Sequence, residues 1–137
     1  TKRILTDAGF WIALLESEDQ YHEEATALFV TIETQQLLIP WCVLYEVFRT
    51  RFVRKPARVR QFEQLLIRPN VAIISESDYQ ESALRQVFSF ARPNVSLVDC
   101  VLRGIVRDRG ARISTFVTFN RSDFEDVCQP RNTQLIP

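Results

Sequence analysis

The sequence predicts an α/β chain: a three-layer α/β/α sandwich around a five-stranded, mainly parallel sheet. Short apolar runs alternate with helical patterns along its whole length. Those runs are continuously apolar rather than alternating, as strands covered on both faces require. No repeat, low-complexity tract or change of composition divides the 137 residues, of which 46% are apolar, so residues 1–137 read as a single domain with one core.

Taken in order, "RILTD" (3–7) is a short buried strand, and residues 9–15 are a short apolar helix. Residues 22–34 place Ala25, Leu28, Phe29 and Ile32 at i, i+3, i+4 and i+7, the stripe of an amphipathic helix. "LLIP" (37–40) is the second strand. Residues 41–53 are helical, with Leu44, Val47, Phe48 and Phe52 as the apolar face. Pro56 suits the first turn of a helix over 56–67. "VAII" (71–74) is the third strand, and helices follow over 78–91 and 97–109, the latter with Gly110 as its C-cap. "ISTFVTF" (113–119) and the weaker "TQLI" (133–136) complete the sheet.

Composition narrows the function. No apolar run approaches the ~20 residues of a membrane span. The start, "TKRILTD", lacks the apolar stretch of a secretory leader, and a chain without Met is expected to have had its start Met removed or left out. Three widely spaced cysteines, Cys42, Cys100 and Cys128, read as reduced core thiols of a cytoplasmic protein. A single His22 argues against a His-rich zinc site or a Ser–His–Asp triad. Nucleotide-binding glycine motifs and the nucleophile elbow are absent. Net charge is zero, which excludes a globally basic nucleic-acid binder, but charge is segregated: "ESEDQYHEE" (16–24) is acidic, and "RTRFVRKPARVR" (49–60) holds six basic residues and no acid.

In a parallel sheet, ligands bind beyond the C-terminal strand ends, where strand order reverses. The carboxylates there each have a plain structural role. Asp7 can cap the helix after the first strand. Glu46 can pair with Arg49 at i+3. Ser96 and Asp99 form an S-x-x-D capping pattern, although Asp99 is flanked by Leu97, Val98, Cys100 and Val101. Ser122 and Glu125 form a second such pattern, and Asp123 suits a helix N-terminus. Together, however, these acids converge on one sheet edge. Crowded carboxylates take up protons or bind a cation, and without His or paired Cys nearby the hard ions Mg²⁺ or Mn²⁺ fit best.

Four segments, "ILTDAGFWIALLESEDQYHEEA" (4–25), "PWCVLYEVF" (40–48), "SLVDCVLRGIVRDRGA" (96–111) and "TFNRSDF" (118–124), resemble PIN-domain nucleases, in particular VapC-type toxin ribonucleases and their stand-alone relatives. The resemblance spans the chain in family order. It implies a PIN-like fold and an acidic site that binds Mg²⁺ or Mn²⁺ and cleaves RNA. Asp7, Glu46 and Asp99 match the first three family acids. Asn120 stands where many members carry Asp, Asp123 is then expected to complete the site, and Thr118 matches a polar lining residue. The implied metal ligands are Asp7, Asp99 and Asn120, and the implied catalytic set is Asp7, Glu46, Asp99 and Asp123. Arg49, Arg51, Arg54, Lys55, Arg58 and Arg60 offer a rim that tracks an RNA backbone, with Arg103 as a further phosphate contact. Trp11 and Trp41 are read as packing residues before base-stacking ones. The family also implies a homodimer and an antitoxin protein as partners. The neutral Asn120 keeps a second reading open, a catalytically weak PIN-fold module that binds RNA or a protein.

Overall fold

A computed structural model describes residues 1–49, 51–89 and 94–137. Five strands, β1 (Arg3–Thr6), β2 (Gln36–Pro40), β3 (Val71–Ile74), β4 (Thr115–Val117) and β5 (Gln134–Ile136), form one sheet in the order β3-β2-β1-β4-β5. Every pairing is parallel. Parallel neighbours need crossover connections, and the helices that supply them cover both faces. These are α1 (Ala8–Leu15), α2 (His22–Ile32), α3 (Trp41–Arg49), α4 (Pro56–Leu66), α5 (Ser77–Ser89), α6 (Leu97–Arg107) and the short α7 (Glu125–Cys128).

Burial explains the strand composition. Ile4 and Leu5 on β1, Leu37, Leu38 and Ile39 on β2, and Phe116 and Val117 on β4 are all at most 2% exposed. Apolar helix faces close over them. Phe10 and Trp11 of α1 meet Phe62 of α4, with the Trp11 and Phe62 ring centres 5.6 Å apart. Cys42, Cys100 and Cys128 are buried and unbridged. The segregated charges become neighbours: Lys55 pairs with Glu16 at 2.7 Å, and Arg58 reaches the Ser17 hydroxyl at 3.4 Å.

Several boundaries differ from those expected. Past α3, residues 51–54 tighten into a 3₁₀ turn. Thr50, residue 90 and residue 91 of the expected helices lie outside the described residues. β4 is three residues long rather than seven, because Thr118 and Phe119 turn away toward the sheet's C-terminal edge. Gly110 does not cap α6. Asp108 does, its side chain accepting the Gly110 N–H at 2.9 Å, while Arg112 adopts the left-handed conformation with φ 55°. Ser122 does not cap α7, whose N-cap position is Phe124.

Strand order reverses between β1 and β4, since the chain leaves β1 toward β2 on one side and leaves β4 toward β5 on the other. That switch point opens the crevice in which open α/β sheets bind ligands.

Candidate active site

The register of β1 on β4 aligns Thr6 with Val117, so the next residues, Asp7 and Thr118, face each other across the switch point. Asp7 is fixed twice. One carboxylate oxygen accepts the Phe10 N–H at 3.0 Å and so caps α1, and the other accepts the Thr118 hydroxyl at 2.5 Å. Thr118 Oγ1 in turn accepts the Asn120 N–H at 3.0 Å, which ties the turn after β4 to the same cluster.

Asp99 arrives from α6. Ser96 and Asp99 form a reciprocal capping box: the Asp99 N–H donates to Ser96 Oγ at 3.1 Å, and the Ser96 N–H donates to Asp99 Oδ2 at 3.3 Å. The cap thus serves the helix and orients the carboxylate. Glu46 arrives from α3, which starts directly after β2.

Asp7, Glu46, Asp99 and Asn120 line one cleft of about 470 Å³, together with Asp19, Gln20, Tyr21, Ile12, Leu102 and Phe119 among others. The three acids feel one another. Burial pushes the Asp7 carboxyl from 3.8 up to about 6; the bonds from Thr118 and Phe10 oppose this, and repulsion from Asp99 and Glu46 adds to it. Glu46 is raised by burial and then by Asp99, with Arg49 opposing. Asp99 is raised by burial and held back by its two bonds to Ser96, and Asp123 pushes it further up. Three carboxyls that each resist ionisation in one cleft are a poor arrangement for an empty pocket and a good one for a cation.

Among the described residues, no group of three or more His, Cys, Asp or Glu side chains is already arranged to hold a metal ion. The donors still fit a hard divalent cation by their chemistry: carboxylate oxygens, the neutral Asn120 oxygen and no sulfur or imidazole lining the cleft.

Other expected residues lie elsewhere. Arg103 is 3% exposed and is no phosphate contact. Its guanidinium grips Asp126 in a bidentate pair, both bonds at 2.7 Å, and donates to the Asp123 carbonyl at 2.7 Å. It therefore fastens α6 to the segment after β4 that carries Asn120 and Asp123. Arg103→Ala should lower stability by about 2 kcal/mol in denaturant melts, the scale of lost hydrogen bonds to a charged group, while the salt dependence of RNA binding stays unchanged. A reduced salt slope would return Arg103 to the interface.

Arg49, Arg51, Arg54 and Lys55 are exposed along the end of α3 and the turn that follows. Trp11 is fully buried, its indole N–H bonded to Thr6 Oγ1 at 2.8 Å, and Trp41 lies on the far end of α3 beside Tyr45. The cleft's aromatic rim is instead Tyr21 and Phe119, stacked with ring centres 4.4 Å apart and planes 7° from parallel. Sequence reading missed both. Tyr21 sits in a polar stretch just before α2, and Phe119 reads as strand until β4 is seen to stop at Val117.

The chain matches a crystal structure of Mycobacterium tuberculosis VapC20, a toxin that cleaves the sarcin-ricin loop, with a TM-score of 0.74 over 90% of this chain and 94% of that one. It has the VapC20 fold. The two sequences share 19% identity, so this likeness speaks for architecture. No family model matches the sequence, and no curated protein matches it. In this PIN-like fold, Asp7 and Thr118 occupy the switch point. Among the described residues no helix is long and apolar enough to cross a membrane.

Proposed function

We propose that the protein is a divalent-metal-dependent endoribonuclease, acting as the toxin of a toxin–antitoxin pair. The observation that carries this reading is the mutual repulsion of Asp7, Glu46 and Asp99 in one cleft at the switch point. Likeness in fold to a toxin that cleaves RNA supports the same substrate class.

Asp7 and Asp99 would hold Mg²⁺ or Mn²⁺, with Asn120 as a neutral oxygen donor. The ion supplies Lewis acidity at a phosphoryl oxygen and lowers the pKa of its bound water. The Thr118 and Phe10 bonds keep the Asp7 carboxylate in place, and the capping box does the same for Asp99. Glu46, raised toward the range of a general base by burial and by Asp99, takes a proton from the attacking water. The new P–O bond forms as the ester P–O bond breaks, and the leaving oxygen takes its proton from solvent. Asp123 adds negative charge behind Asp99 and strengthens its hold on a cation.

RNA approaches a negative cleft, so its backbone needs cations at the edge. Arg49, Arg51, Arg54 and Lys55 offer them, and Tyr21 with Phe119 offers a face for a base. In the cleavage-deficient Asp99→Asn background, Arg51→Ala with Arg54→Ala should reduce the slope of log affinity against log salt by about 1. An unchanged slope would place the RNA elsewhere. We extend the reading to a homodimer and to an antitoxin protein as partners in a reducing cytoplasm, which suits three buried free thiols.

The decisive experiment incubates purified protein with ribosomal RNA and Mn²⁺, with and without EDTA. Internal cleavage that EDTA stops supports the proposal. Intact RNA in the presence of Mn²⁺, with tight salt-sensitive binding, would establish the binding module instead, the reading that neutral Asn120 favours.

A further inference from the structure

A second cavity lies beside the acid cleft and is chemically unlike it. It measures about 400 Å³ and is walled by Cys42, Tyr45, Glu46 and Arg49 of α3, Gln80 and Leu84 of α5, and Leu97, Val98 and Val101 of α6, with Glu76 completing it. Most of that lining is apolar. Leu84 and Leu97, both more than 40% exposed, stand at its mouth.

Glu76 is the anomaly. It precedes α5, is only 7% exposed, and its Oε2 is sealed from solvent with no hydrogen-bond partner. A buried carboxylate oxygen left unpaired is costly. Other buried polar side chains nearby show how the fold normally treats such groups: Thr6, Thr118 and Thr133 each donate to a named oxygen. The charged and titratable groups around this cavity are Glu76, Glu46, Arg49, Cys42 and Tyr45. With both carboxylates ionised, their two negative charges exceed the single guanidinium. The Cys42 thiol, pushed up to about 12 by burial and then by the charges of Glu76 and Glu46, adds no positive charge.

We propose that this cavity is a binding site for a small amphipathic cation, an amine or guanidine on an apolar body, whose charged head meets the Glu76 carboxylate and whose body packs between Leu84, Leu97 and Val101. The volume suits a ligand of about ten to twenty non-hydrogen atoms, at the lower end of ordinary ligand cavities. Glu46 and the α6 entrance are shared walls, so an occupant would touch the back of the acid site without entering it. This assignment stands apart from the ribonuclease reading, because it uses a different cavity and its test reads no cleavage.

The probe is phenylguanidine, with neutral phenylurea as its isostere, titrated into ¹⁵N-labelled protein in EDTA and followed by amide shifts. Expected are saturable shifts on α5 and at Leu97–Val101, at least tenfold weaker binding of phenylurea, and at least tenfold weaker binding of phenylguanidine to Glu76→Gln. The Leu84→Trp variant, which narrows the mouth at an exposed position, should also lose binding. The Asp7→Asn/Asp99→Asn double variant should bind phenylguanidine within twofold of the wild type. Equal binding to wild type and Glu76→Gln would overturn the proposal, as would equal affinity for phenylurea or shifts confined to the acid cleft. So would binding that weakens as sedimentation shows self-association, since a second copy would then be the occupant.

Discussion

Replacing Asp99 with Asn should lower Mn²⁺-dependent RNA cleavage by at least about 100-fold, the range spanned by the loss of a single positioned catalytic group. The substitution is nearly isosteric. Asn can still accept the Ser96 N–H through its side-chain oxygen, and its own backbone N–H still donates to Ser96 Oγ, so the capping box that starts α6 survives. Stability should therefore change by less than about 1 kcal/mol. Activity and stability separate at this residue because one oxygen serves the helix while the charge serves the cleft. Measured side by side, cleavage assays and thermal melts should show a large loss in the first and a small change in the second. Activity that survives Asp99→Asn would remove this carboxylate from the mechanism, and with it the role of the cleft.

Asp7→Asn should abolish cleavage and yet make the metal-free protein more stable at pH 7, by about 1–3 kcal/mol. The native carboxyl holds its proton up to about pH 6, whereas the unfolded chain releases it near 3.8. Below 3.8 both states are protonated and the acid costs nothing. Between 3.8 and about 6 the unfolded state ionises first, so stability falls as pH rises, and above 6 the full penalty remains. The interval corresponds to roughly 3 kcal/mol. Asn carries no charge to desolvate. Its oxygen can keep the Phe10 N–H, and its amide can donate to Thr118 Oγ1. Urea melts in EDTA at pH 7 and pH 3.5 check this: a gain at the higher pH that shrinks toward zero at the lower. Equal gains at both would show that ionisation is not the cause. Functional sites that give up stability in this way are common.

Much of the architecture was legible because its signals are local. The continuous apolar runs of β1 and β2 and the 3.6-residue stripe of α2 reflect burial that any parallel sandwich imposes. Asp7 and the Ser96–Asp99 pair were legible as caps for the same reason: both bonds close within three residues. What could not be read was partnership across the chain. Arg103 lies four residues after Asp99 and so on a shared helical face, but spacing does not reveal that Asp126 stands opposite and claims it. Tyr21 and Phe119, almost a hundred residues apart, meet only because β4 stops after three residues and the α1–α2 connection folds over its end. Gly110 was expected to turn the chain after α6 since glycine tolerates left-handed geometry, yet Arg112 takes that conformation and Asp108 caps the helix. Glu76 gave no signal at all, being one acid among seventeen acidic residues until its surroundings closed over it.

The bond between Asp7 and Thr118 spans 111 residues of sequence. A ribosome must therefore deliver nearly all of the chain before the first acid can gain its hydroxyl partner or the switch point can open. Until β4 emerges and slots beside β1, the growing polypeptide carries its carboxylates without a site. A protein that attacks RNA on these terms is harmless to the message and the ribosome that are making it, and its danger begins only after release.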